Sequence, residues 1–274
     1  MGSISHVHGG HAAMSAINEN GPDRAVTESV EEIGTDGKPV RVERFAPARG
    51  GAAAAVLLLH GADGLHFQGE AYRDSARALG RRGFLALLVH YFDSTGNVAA
   101  GPDHFHRWVQ TVGAAIDHAA GHLGSGARVG LVGFSLGAYL ALAVAAKDRR
   151  VGAVVESCGG LPNHLAAHVA SLPPVLILHG AADPVISVEE AHKLERLLRK
   201  WAMPYEIRIF PDQGHGFRGA AAGEALHRTV AFLGRHLVGP APARRDAGTP
   251  ARPLGPPHNG EAAPGRTSRK GAEP

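Results

Sequence analysis

At 274 residues with one cysteine, Cys158, the chain can bury a substantial core but can form no internal disulfide, which excludes a disulfide-built scaffold. The net charge of +3 is matched by the stretch from Pro240 to Pro274, where six basic residues outnumber three acidic ones. The remainder is close to neutral and carries no basic stripe with interleaved aromatics, so nucleic-acid binding is not expected.

The opening MGSISHVHGGHAAMSA lacks the basic and apolar regions of a secretory leader, and no later run is apolar for long enough to span a bilayer. A cytoplasmic location without membrane partners is expected. Residues 1–25 read as a disordered leader, residues 26–238 as the folded domain and residues 239–274 as a disordered tail rich in Pro, Gly and Arg. His6, His8 and His11 in the leader have no carboxylate or cysteine to complete a metal site, and they read as a solvated arm.

From Val26 the pattern becomes β-like. Val26 to Ile33 and Pro39 to Phe45 alternate apolar and polar residues around Thr35-Asp36-Gly37, as in an antiparallel hairpin at a sheet edge. Ala53 to His60 is apolar almost throughout and reads as a central parallel strand. Helix and strand then alternate: a helix over Glu70 to Arg82, a strand over Phe84 to His90, a helix over Phe105 to His122 and a strand over Arg128 to Val132. A helix over Leu136 to Ala146 follows, then strands over Val151 to Glu156 and Val175 to His179, a helix over Val188 to Trp201, a last strand over Tyr205 to Phe210 and a closing helix over Glu224 to His236. Eight strands in this order imply a mostly parallel α/β sheet with helices on both faces, entered through an antiparallel edge.

The chemistry is concentrated at Gly133-Phe134-Ser135-Leu136-Gly137, between a strand and an Ala- and Leu-rich helix. A turn this tight strains the serine backbone, and glycines two residues on either side remove the collisions that side chains would cause. The hydroxyl of Ser135 is thereby raised beside the first amides of a helix, which favour an oxyanion. In parallel sheets functional groups gather at the carboxyl ends of strands, and Asp183 and His215 each follow a strand there, in the chain order nucleophile, acid, base. A neutral imidazole can take the serine proton, and a carboxylate can hold the ring's tautomer. Glu156, which ends the strand after the elbow, is the rival acid and ranks behind Asp183. Leu136 N–H and Ala62 N–H are expected to form the oxyanion hole. The loops His90-Tyr91-Phe92-Asp93 and Cys158 to His168 are expected to set specificity, with His90 and Tyr91 binding substrate.

With these residues in place, the chain resembles the dienelactone hydrolase family of α/β-hydrolases over roughly Val26 to Val238. The resemblance lies in LLLHGADGL, LLVHYFD, LVGFSLGAYLAL, LPPVLILHGAADPVI and FPDQGHGF. It implies a Ser135, Asp183 and His215 triad, with Ala62 at the first-loop oxyanion position. The family's namesake enzymes use a cysteine nucleophile and a first-loop glutamate, and here Ser135 and Gly61 stand at those positions. A carboxylesterase or lactonase acting on small esters, without metal or cofactor, is the reading that follows. An oligopeptidase-type peptidase and a non-catalytic binding protein on the same scaffold are the alternatives.

Overall fold

The computed structural model describes residues 24–49, 51–101, 104–123 and 128–238. The expectations for residues 1–23 and 239–274 fall outside the described residues. β1 (Val26–Ile33) and β2 (Val40–Pro47) form the antiparallel hairpin, and β2 pairs antiparallel with β4 (Leu85–Val89). From β4 onward the sheet is parallel, through β3 (Ala55–Leu59), β5 (Val129–Phe134), β6 (Val151–Ser157), β7 (Val175–Gly180) and β8 (Tyr205–Phe210). The spatial order is β1-β2-β4-β3-β5-β6-β7-β8.

Successive residues of a strand face opposite sides of the sheet, so strands with a core on both sides must be apolar throughout. AVLLL and LALLV, the sequences of β3 and β4, are buried at every position. Leu57 and Leu59 join the core beneath α2 (Phe105–Leu123), α3 (Leu136–Ala145) and α4 (Val188–Lys200), together with Trp108, Ile116, Leu140 and Leu194. Val56 and Leu58 join the opposite core with Leu79 of α1 (Gly69–Arg81) and Phe232 of α5 (Ala220–Leu233). Each large aliphatic or aromatic side chain so placed contributes about 1.5–3 kcal/mol.

The helices follow from local chemistry. α4 is capped by Ser187, whose Oγ accepts from the Glu189 amide, and it carries Glu189 and Glu190 in its first turn and Arg199 and Lys200 in its last, complementing the helix dipole. α5 begins four residues before the expected start, and a π-helical turn over Gly234–Val238 follows it. Two 3-10 turns, Tyr91–Ser94 and Asn163–Ser171, occupy segments expected to be loops. Among the described residues, no helix is long and apolar enough to cross a membrane.

Candidate active site

Ser135 joins β5 to α3 with φ 52° and ψ −118°, a left-handed conformation that costs a non-glycine residue on the order of 1–3 kcal/mol. The flanking glycines permit it. A Cβ on Gly133 would strike the Gly137 carbonyl, and one on Gly137 would strike the Leu59 carbonyl. The turn is anchored by the Ser135 amide, which donates to Ser157 O at 2.9 Å, and by the Ala138 amide, which donates to Ser135 O at 2.9 Å.

Two loops bring the other side chains to the serine. Gly180 ends β7 against the backbone of Gln213 and Gly214, where any Cβ would collide. The Ala182 amide donates to Gln213 O at 3.0 Å, which ties the Asp183 turn to the His215 loop. His215 Nδ1 lies 2.8 Å from Asp183 Oδ2, and His215 Nε2 lies 3.0 Å from Ser135 Oγ. A proton on Nδ1 facing the carboxylate leaves Nε2 to accept from the serine hydroxyl. Asp183 Oδ1 accepts from the amides of Val185 (2.8 Å) and Ile186 (3.0 Å). Burial of Asp183 works to raise its pKa, but the His215 hydrogen bond and the two amides outweigh that and hold it below the ordinary aspartate value. His179, behind it, donates from Nε2 to Ile186 O at 2.9 Å.

The rival acid sits elsewhere. Glu156 Oε1 accepts from the Gly159 amide at 2.6 Å, and Oε2 has no hydrogen-bond partner. The side chain is wholly buried, and desolvation pushes its pKa up to about 8 against the Gly159 amide, with nearby Glu190 adding to the rise. This carboxyl group is kept neutral, whereas Asp183 is kept ionised.

The first loop approaches the elbow closely. A Cβ on Gly61 would lie 3.2 Å from Phe134 Cδ1 and 3.5 Å from Ser135 Cβ, so a larger residue would press on the serine. The Gly61 amide is held by Tyr72 Oη at 3.0 Å, and the next residue, Ala62, is exposed. Leu136 opens α3, so its amide lies outside the helix's own hydrogen-bond ladder.

His90 and Tyr91, expected at the substrate, are placed otherwise. Tyr91 is fully buried: its hydroxyl donates to His60 O at 2.7 Å, and its ring stacks on His60 with centroids 4.1 Å apart. Packed between His60 and Trp108, it braces the first loop from below. Desolvation lowers the His60 pKa to about 4, so this ring is neutral. His90 Nε2 bonds to Glu43 Oε1 at 2.7 Å, and Arg73 pairs with the same carboxylate at 2.6 Å. Glu43 is drawn down to about 2, since these partners overcome the cost of its burial.

A cavity of about 740 Å³ opens beside His215 and Phe134 and runs between α1 and α5 over Leu58, Val132, Val155 and Leu178. Neither His90, Tyr91 nor the segment from Cys158 to His168 lines it, and Ser135 itself lies off it. Cys158, at φ 50°, is buried behind the relay, and its sulfur lies within 4.8 Å of donor atoms of Asp183 and His215. Desolvation pushes this thiol up to about 12, so it remains protonated there.

The model of the dienelactone hydrolase family matches residues 43–237. The chain belongs to that family of hydrolases. It is 27% identical over 224 residues to a Salmonella typhimurium (strain LT2) protein assigned by name as a carboxymethylenebutenolidase, covering 72% of this chain and 80% of that one. Similar solved folds include a Klebsiella pneumoniae protein assigned by name as a dienelactone hydrolase, with a TM-score of 0.68 and 21% identity over 77% of this chain and 99% of that one. An acylaminoacyl peptidase bound to a chloromethyl ketone has a TM-score of 0.67 and 13% identity over 82% of this chain and 44% of that one. At such identities the structural likeness is one of fold.

Proposed function

We propose that the protein is a serine hydrolase of small carboxylic esters or lactones. The observation that carries this reading is the continuous relay from Ser135 Oγ through His215 to the buried, ionised Asp183, built on a strained turn at a helix start. In this mechanism His215 Nε2 takes the Ser135 proton as Oγ attacks the ester carbonyl. The developing oxyanion is received by the amides of Leu136 and Ala62. His215 then protonates the leaving alcohol, an acyl-Ser135 ester remains, and a water activated by the same imidazole releases the acid. In a lactone the alcohol and the acid belong to one product. Asp183 stabilises the imidazolium formed in each half-reaction. The buried, protonated Cys158 thiol cannot act as the family's cysteine does, which supports assigning attack to the serine.

The test combines labelling with kinetics. A fluorophosphonate should label the wild type and fail to label Ser135→Ala, and that variant should lose at least about 10³-fold in kcat on p-nitrophenyl esters, because the relay acts as a unit. Equal labelling of both proteins would overturn the nucleophile assignment. Turnover of aminoacyl anilides but not of esters would overturn the substrate class in favour of a peptidase.

A further inference from the structure

β1 is the edge strand farthest from the relay, with β2, β4 and β3 between it and β5. His118 and His122 lie one turn apart on α2, so both imidazoles leave the same helix face. There they meet Glu31 of β1. Glu31 Oε2 is 2.6 Å from His118 Nε2 and 3.2 Å from His122 Nε2, and the two Nε2 atoms are 3.2 Å apart. The rings stand nearly perpendicular, at 89°, so both nitrogens turn inward without the rings colliding.

A tetrahedral zinc ion with bonds of about 2.0–2.1 Å holds its ligand atoms about 3.3 Å apart. Two edges of this triangle are close to that length, and the third opens when a hydrogen bond is exchanged for an ion. We propose that Glu31, His118 and His122 form a binding site for zinc, or for a divalent transition ion of the same class, that fastens the edge strand to α2. Two imidazoles and a carboxylate form a nitrogen and oxygen donor set suited to zinc, cobalt or nickel, whereas calcium and magnesium favour all-oxygen cages. Each neutral ring offers its Nε2 lone pair and keeps its proton on Nδ1.

The surroundings suit the assignment. Arg44 Nε stands 3.6 Å from the other carboxylate oxygen, Oε1, which leaves Oε2 to the rings. The three side chains are 26–30% exposed, so an ion can enter and water can fill the fourth position. β1 pairs with only one strand, so a metal bond to α2 would give it a second attachment.

The test uses the full-length, untagged, metal-stripped chain and zinc chloride, followed by calorimetric titration and thermal unfolding. His6, His8 and His11 are the competing ligands, so a variant with all three changed to alanine is run beside Glu31→Gln and His122→Ala. Zinc should bind the wild type and the leader variant at one common site and raise the unfolding temperature of both. Both site variants should keep the wild-type circular dichroism. Their zinc affinity should fall by more than the roughly 10- to 100-fold that loss of an outer-shell partner costs. Equal binding by wild type and His122→Ala, loss of binding in the leader variant alone, or no binding by wild type would each overturn the proposal.

Discussion

Two carboxyl groups end neighbouring strands, and their surroundings give them opposite charge. Asp183 holds the relay imidazole and two amides, whereas Glu156 has one amide and an unpartnered oxygen. Asp183→Asn should therefore lose most of the activity, on the order of the 10⁴-fold seen when a triad carboxylate is neutralised in a serine protease. Glu156→Gln should keep kcat/KM within about tenfold, less than about 1.4 kcal/mol of barrier. Both are read on one ester, and the reverse ranking would move the acid to Glu156. The buried glutamate also makes a stability prediction. Its folded pKa of about 8 lies above its ordinary value of 4.5, chiefly through desolvation, so the folded chain keeps a proton that the unfolded chain releases. Its contribution is fully present below about pH 4.5 and is lost as pH rises towards 8, by a few kcal/mol in order of magnitude. Glu156→Gln removes that ionisation, so urea denaturation should show the variant gaining on wild type from pH 5 to pH 8. A constant difference across that range would mean that Glu156 ionises freely.

At the scale of elements, the first loop depends on what lies beneath it. Tyr91→Phe removes the hydroxyl that donates to the His60 carbonyl from the Tyr91–Ser94 turn, which should cost about 1–3 kcal/mol in denaturant unfolding and reduce kcat/KM on the same ester. An unchanged rate at reduced stability would confine Tyr91 to packing. That tyrosine also shows where sequence reading stops. The strands were legible because burial on two faces demands runs such as AVLLL, and the elbow because its two glycines are a steric necessity. An aromatic at a strand end has no such signature: facing a ligand or stacking beneath a loop requires the same residue, and Tyr91 stacks. The 3-10 turn over Asn163–Ser171 lacks an apolar period that would announce it. His118 and His122 carry a helical spacing, but Glu31 stands 87 residues before the first of them and is brought there only by the hairpin.

Across the whole molecule the proposed machinery draws on one half of the sheet. Ser135, Asp183 and His215 leave the ends of β5, β7 and β8, and the other half supplies the loop after β3. Among the described residues, the buried members of both hydrophobic cores lie between Ile33 and Leu237, and the family match spans 43–237. A chain of residues 24–238 should therefore unfold at the temperature of the full chain and hydrolyse esters at its rate. Scanning calorimetry and kcat/KM on one ester, run on both chains, decide the matter. A fall of more than about 4 °C, or more than about 1 kcal/mol for a fold of this size, would show that an end of the chain packs on the sheet. Unchanged melting with a slower rate would place one of those ends at the substrate instead.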